Sequence, residues 1–367
     1  MDKIKLGDLC KPSSGQIKEE ADTLIDYIDI SSVDNETKKV TGYQTITFGE
    51  SPSRARKPVK RGDVLVSTVR PNLNAVALLE EDTPNVSVAS TGFCVLESKD
   101  DVDSRFIFNF CKSKPFIDDM VSQATGASYP AVSDKIVRSA LIPKYTYQEQ
   151  QHISTVLDKV AKIIDGRRKE LQELDNLIKA RFVELFGDPV QNPFGWKKKR
   201  FDEICENLDS RRKPITSSDR VVGVYPYYGA SGIVDYVEDY IFDEDILLVS
   251  EDGANLLMRS TPIAFSVSGK VWVNNHAHVV RFKKMCLQKY IEILFSLIDI
   301  SDSITGSAQP KLNQAKLNAM EFPIPDEDRL EKYLSFLEQV DKSKVAVQKA
   351  LDEAQLLLDS LMQEYFE

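Results

Sequence analysis

From Thr125 onward the chain repeats itself at a constant offset of 180 residues, without a gap. Thr125-Gly126 returns as Thr305-Gly306, Pro130 as Pro310 and Pro143 as Pro323. Leu157, Val160, Lys162, Lys169, Leu171, Glu173, Leu177, Glu184 and Phe186 then return as Leu337, Val340, Lys342, Lys349, Leu351, Glu353, Leu357, Glu364 and Phe366. A repeat of this length means two copies of one structural unit. Two heads, each followed by a long helical pattern, imply a protein that does one thing twice, at two points a fixed distance apart.

The helical parts carry the clearest pattern. Leu157, Val160, Ile164, Leu171, Leu174, Ile178 and Leu185 occupy the a and d places of a heptad. Leu337, Val340, Val347, Leu351, Ala354, Leu358, Leu361 and Tyr365 do the same in the second copy. Thr146 and Glu149 form a capping box, and Pro325-Asp326 opens the second helix in the equivalent place. Roughly 40 residues per helix gives a rod of about 60 Å. A lone amphipathic rod would expose its seam, so the two are expected to pair. A two-fold relation between the copies makes them antiparallel, with one head at each end. Gly166, where the second copy has Ala346, reads as a surface glycine or a kink, at a cost of about 1 kcal/mol against alanine.

The 367 residues allow two or three domains. The expected division is a head at 1–145, a central helix at 146–187, a second head at 188–325 and a C-terminal helix at 326–367. Each head reads as mixed α+β. In the first, Asp63–Arg70, Ala75–Leu79 and Ser87–Leu96 are expected strands, and Ser104–Val121 a helix buried at Phe106, Phe110, Ile117 and Val121. In the second, Asp245–Ser250, Pro262–Val273 and Ala277–Phe282 are the strands and Leu287–Ile300 the helix.

A net charge of −10 at first argues against nucleic acid as a partner. Its distribution removes the objection. Residues 326–367 hold 5 Lys+Arg against 11 Asp+Glu, whereas 1–145 hold 19 against 21 and 191–325 hold 16 against 17. The acidic C-terminal helix suits a protein partner, and a near-neutral head can still present a basic face. No apolar run has the length of a membrane span, and no apolar stretch follows Met1-Asp2-Lys3-Ile4-Lys5 as in a signal peptide. Five scattered cysteines, without a CxxC pair, read as reduced thiols of a cytoplasmic protein.

Basic clusters occur in both heads. The first has Arg54, Arg56, Lys57, Lys60 and Arg61 in eight positions, with Pro58 expected to keep the segment in a loop, and then Arg70 and Asn72 at a strand end. The second has Lys197, Lys198, Lys199 and Arg200, then Arg211, Arg212 and Lys213. Lys and Arg on loops supply phosphate contacts, and Arg, Asn and Gln can pair with base edges in the major groove. A solvated loop explains one such cluster; a cluster in each head favours DNA.

Asn274, His276 and His278 lie in the most polar stretch of the second head. Two residues apart on a strand, the histidines are expected to face the same way. A metal would need a third ligand, and the remaining histidine, His152, falls in the helix, so no metal is expected. A hydrogen-bonded structural pair and a base or backbone contact both remain open. Glu251-Asp252-Gly253 reads as a turn. Asn192-Pro193-Phe194 lacks the second proline of the Asn-Pro-Pro-Phe/Tyr signature of adenine methyltransferases, and Gly187-Asp188-Pro189…Gly195-Trp196 reads as a linker. No Walker loop, nucleophile elbow or Gly-rich cofactor turn is visible. A recognition or assembly component is expected, with no catalytic residue and no cofactor.

With head, helix, linker, head and helix in this order, the chain resembles the specificity subunit of type I restriction-modification systems over nearly its full length. The Thr-Gly-x-x-x-Pro turn before each helix, the heptads and the linker carry the likeness. So does the match of Ile4-Lys5-Leu6-Gly7-Asp8-Leu9 with Lys199-Arg200-Phe201-Asp202-Glu203-Ile204. The resemblance implies two mixed α/β target recognition domains joined by two long antiparallel coiled-coil helices, with pseudo-two-fold internal symmetry. Each head would read one half of a split, asymmetric double-stranded DNA site. The helices would act as a ruler and dock two modification subunits, which bind S-adenosylmethionine, with restriction subunits joining later. A rod of about 60 Å limits the half-sites to about 18 base pairs apart, at 3.4 Å each. A coiled-coil adaptor that never touches DNA is the competing reading.

Overall fold

The computed structural model describes residues 2–306 and 309–367. Met1, at the head of the segment read above for a signal peptide, lies outside them, as do Ser307 and Ala308 of the second Thr-Gly-x-x-x-Pro turn. The chain forms two compact units, Met1–Arg168 with Lys349–Glu367, and Lys169–Gln348. The division falls inside both long helices, Tyr147–Phe186 and Glu327–Phe366.

In the first unit Val64–Ser67 lies between Phe93–Leu96 and Val76–Leu78, all antiparallel. Every residue of Val64–Ser67 and of Phe93–Leu96 is buried, so these strands read as continuous apolar runs rather than alternating ones. A second sheet orders Gln44–Thr47, Leu24–Ile28, Val86–Ser90 and Ala55–Pro58, with Leu24–Ile28 parallel to Val86–Ser90. The single helix expected over Ser104–Val121 is two, Ser104–Lys112 and Lys114–Gln123. Ser113 ends the first and caps the second, and Pro115, which has no N–H to donate, sits at the start of the second.

The second unit repeats this plan. Ile246–Ser250 lies antiparallel between Ala277–Arg281 and Ala264–Val267. Val222–Gly229 runs parallel to Lys270–Val273, as Leu24–Ile28 does to Val86–Ser90. The run expected as one strand over Pro262–Val273 is two, Ala264–Val267 and Lys270–Val273, because Gly269 turns the chain at φ +77°. The helix is Met285–Leu297.

Both heads start in the same way. Lys3–Lys5 pairs with Leu141–Pro143, and Lys197–Arg200 with Glu321–Ile324. The next residue, Leu6 or Phe201, is fully buried and donates its N–H to the Ala140 or Met320 carbonyl, each at 2.8 Å. The match between these segments seen in the sequence is thus a match of strand, anchor and turn.

Within each unit the beginning of one long helix packs against the end of the other, so the pairing is antiparallel. In the first, Leu157, Val160 and Ile164 join a core that reaches Leu351, Ala354, Leu358, Leu361 and Phe366. In the second, Ile178, Phe182 and Phe186 meet Leu330, Tyr333 and Leu337. Phe182 stacks on Tyr290 at 5.1 Å and meets Tyr333 edge-on at 5.8 Å. The capping box forms, with Thr146 N–H donating to Glu149 Oε2 at 2.7 Å, and Asp326 Oδ1 accepts the Arg329 N–H at 3.0 Å. The helix runs unbroken through Gly166, where an added Cβ would meet nothing within 4 Å. The surface-glycine reading holds.

Candidate nucleic-acid interface

Among the described residues, the ends of the Thr-Gly-x-x-x-Pro motif are tied together in the same way in both heads. Thr125 and Ala131 exchange backbone hydrogen bonds of 3.0 and 2.9 Å, and Thr305 and Lys311 exchange two of 2.8 Å. Gly126 and Gly306 have φ of +104° and +82°, and a Cβ at either would fall 2.8 or 2.6 Å from the carbonyl oxygen of Tyr129 or Gln309. Only glycine fits there. The proline carbonyl then ties the turn to the end of the central strand region. Pro130 O accepts the Arg70 N–H at 2.7 Å, and Pro310 O accepts the Gly253 N–H at 3.1 Å. The same hydrogen-bonded frame thus carries a different residue before its proline in each head, Tyr129 in one and Gln309 in the other.

In the first head Tyr129 stands over a strained cation. Arg70 is exposed, adopts the left-handed conformation at φ +49°, and holds its guanidinium 4.8 Å from the ring of Tyr129. Tyr129 is itself 68% exposed. A non-glycine residue in this region carries backbone strain, which marks functional positions more often than structural ones. Asn72 lies exposed on the next turn, Pro71–Leu73.

The cluster at 54–61 is not the loop expected. Ala55–Pro58 is an edge strand against Val88–Ser90, and Pro58 ends it, as edge prolines do. Arg54 and Arg61 are exposed on either side. Arg56 folds back, with its Nη1 donating to the Ala55 carbonyl at 2.6 Å and its guanidinium 4.9 Å from the Phe48 ring. Lys57 is internal: its Nζ donates to Asp134 and to the Phe93 carbonyl, both at 2.6 Å. Lys60 pairs with Glu97 at 2.6 Å while remaining 61% exposed.

In the second head Lys197, Lys198, Lys199 and Arg200 are exposed, but on a strand rather than a loop. Lys213 is exposed as well. Arg211 pairs with Glu244 at 2.6 Å and lies 4.5 Å from the Phe242 ring. Arg212 is 13% exposed and pairs with Glu251 at 2.6 Å and Asp209 at 3.4 Å. Asn274 is buried, and its Oδ1 accepts the His276 N–H at 2.8 Å. The two histidines do not face the same way, because the strand begins only at Ala277. His276 sits outside it in a turn, exposed, with Nδ1 3.0 Å from Asp252. His278 is fully buried, with Nδ1 2.6 Å from Asp209 and Nε2 2.7 Å from the Leu312 carbonyl.

Asp209, Glu251 and His278 bring ligand atoms within 4.8 Å of one another. The carboxylates are already matched, however. Glu251 meets Arg212 at 2.6 Å and Lys311 at 3.0 Å, and Asp209 accepts the Val279 N–H at 2.8 Å. Burial pushes both carboxyls up, but their hydrogen bonds and cationic neighbours outweigh it and hold both below the usual range. This is an ion-pair network that fastens the turn to the sheet.

Three site residues named from the sequence, Lys57, Arg212 and Asn274, are therefore enclosed by protein. Arg54, Arg61, Arg70, Asn72, Lys197, Lys198, Lys213 and His276 are presented to solvent. Sequence reasoning passed over Tyr129 and Lys311, although both lie in the repeated turn; it read the frame and not the residues set in it.

The family described as the type I restriction modification DNA specificity domain matches residues 1–176 and 193–355, most of the chain. The chain belongs to that family. The type I restriction enzyme MjaIX specificity subunit of Methanocaldococcus jannaschii is 22% identical over 337 residues, covering 82% of this chain and 76% of the relative. A putative type I specificity subunit of Haemophilus influenzae, S.HindORF215P, is 38% identical over 127 residues, covering 35% of this chain and 32% of its own length. The chain thus spans about a third of that relative. Among solved structures, the type I restriction-modification S subunit from M. genitalium superposes with a TM-score of 0.62 at 14% identity, covering 100% of this chain and 96% of that one. A chain from a structure on complex assembly and conformational transition of the type I R-M system gives 0.63 at 20% identity, with 100% and 97% covered. The specificity-subunit fold, two target recognition domains with long helices and an internal repeat, is the fold of this chain. Among the described residues no helix is long and apolar enough to cross a membrane.

Proposed function

We propose that this chain is the DNA-reading subunit of a type I restriction-modification complex. Each head reads one half of a split, asymmetric double-stranded site, and the helices dock two modification subunits, with restriction subunits joining the assembly. The chain performs no catalysis and holds no cofactor; S-adenosylmethionine belongs to the modification subunit. The observation that carries this reading is the shared hydrogen-bonded frame with unlike residues, Tyr129 and Gln309, before its proline. One frame carrying different side chains is how two related heads would read different sequences. In the first head, Arg70, Asn72 and Tyr129 face the half-site, with Arg54 and Arg61 on phosphate. In the second, Lys197, Lys198, Lys213, Arg211 and His276 do so.

The test is a genome-wide map of methylated adenines in a methylation-free host expressing this chain with its modification subunit. One split motif with a fixed nonspecific gap is expected. A stable complex of the two proteins that leaves no methylation would overturn the reading in favour of a coiled-coil adaptor.

A further inference from the structure

Nine residues of the long helices are identical at the 180-residue offset, and packing accounts for four of them: Leu157, Val160 and Phe186, with their equivalents, lie in the seam or against a head, Leu351 packs with Val160 and Ile164, and half-buried Leu171 lies beside Lys344 and Gln348 of the other helix. The other five face solvent. Lys162 and Lys342 lie on the other side of the division between the units, in the first and second unit respectively; the remaining four are Lys169, Glu173, Leu177 and Glu184 in the second unit, and Lys349, Glu353, Leu357 and Glu364 in the first. At roughly 100° per residue, each set falls in an arc of about 80°, on the side of the helix away from its buried seam. Ala180 and Ser360, both small and exposed, fall in the same arc. Exposed neighbours outside the stripe are not retained: Lys179 is matched by Asp359 and Val183 by Gln363.

Folding does not require this identity, since exchange of a solvated residue changes stability by about 0.5 kcal/mol or less. Leu177 and Leu357 are 47% and 50% exposed, apolar where the fold gains little from it. We infer that each stripe, Lys-x3-Glu-x3-Leu-x6-Glu, is a docking surface for one copy of the same protein partner. The chemistry specifies a helix that lays an apolar residue on the leucine beside the small Ala180 or Ser360. It places basic residues against the two glutamates and a carboxylate against the lysine. The inference rests on the reading that modification subunits dock on the helices, and it assigns the residues that would hold them.

The experiment is native mass spectrometry of the full chain co-purified with its modification subunit, for the unaltered chain, Leu177→Asp, Leu357→Asp and the double variant. Both leucines are half exposed, so the variants should keep the unaltered melting temperature. The expected stoichiometry is two modification subunits on the unaltered chain, one on either single variant and none on the double. Glu173→Lys and Glu353→Lys, which leave the apolar contact in place, should each weaken one site at least tenfold. Two subunits still bound by every variant would overturn the stripe while leaving docking on the helices intact. No subunit bound by the unaltered chain would overturn docking itself.

Discussion

Two arginines that look alike in the sequence should fail in opposite ways when removed. Arg212 is 13% exposed beside Glu251 at 12% and Asp209 at 6%, and it also donates to the Ala277 carbonyl at 2.7 Å. Arg212→Ala leaves two nearly buried carboxylates short of a cation, a loss that costs about 3–5 kcal/mol when no other partner remains. Here Lys311 stays 3.0 Å from Glu251 and His278 2.6 Å from Asp209, so the lower end, about 3 kcal/mol, is expected. Arg70 is exposed and loses only its contact with Tyr129, worth about 0.5–1 kcal/mol at an exposed site. Its removal from the DNA complex, by contrast, should cost about 1–3 kcal/mol if it reads a base. If it holds a phosphate, removal should instead lower the slope of log affinity against log salt by about 0.9. Urea unfolding of each variant, together with DNA binding by the reconstituted methyltransferase at several salt concentrations, separates the two effects. An Arg212→Ala chain as stable as the unaltered one, or an Arg70→Ala chain that unfolds but binds normally when folded, would refute the use of enclosure to tell structural from DNA-facing cations.

Gly166→Ala should raise stability by about 0.5–1 kcal/mol, because the site is helical, exposed and open to a Cβ; a drop in melting temperature would show that the glycine is a hinge. Acid should act oppositely at two enclosed sites, Asp63 in the first unit and the Asp209–Glu251 pair in the second. Burial raises the Asp63 carboxyl to about 6 in the folded protein, so its ionisation opposes folding at neutral pH, and that penalty is relieved as pH falls below 6. Asp63→Asn should therefore stabilise the first unit more at pH 7.5 than at pH 4.5, and an equal shift in melting temperature at both would contradict this. Asp209 and Glu251, held low, stabilise the second unit above the ordinary carboxylate range. That contribution is lost as pH falls through their depressed values.

The seam of the helices was legible because a heptad is a local pattern: Leu157, Val160 and Leu337 are buried where the spacing puts them. Phe182 was not, since it leaves the heptad to stack on Tyr290 of the head, and Tyr333 meets it edge-on there. The edge strand Ala55–Pro58 reads as a loop because its pairing partner, Val88–Ser90, is some thirty residues away, and five cations in eight positions hide the β pattern. The histidine pair failed for a similar reason. Alternation along a strand predicts a shared face only once the strand has begun, and this one begins between the two.

By itself the sequence determined that there are two copies of one unit, that each is a mixed α+β head with a long amphipathic helix, and that the copies share their turns. These properties lie in periodicity and in residues such as Gly126 and Gly306, which have no substitute at positive φ. Tertiary structure alone decided which cations are enclosed and which are presented. Lys57 and Arg70 differ little as letters, yet one ends on Asp134 from 77 residues away and the other stands over Tyr129 in solvent. Whether a charge is matched depends on what the fold brings beside it, and contacts of that range leave no trace in local pattern.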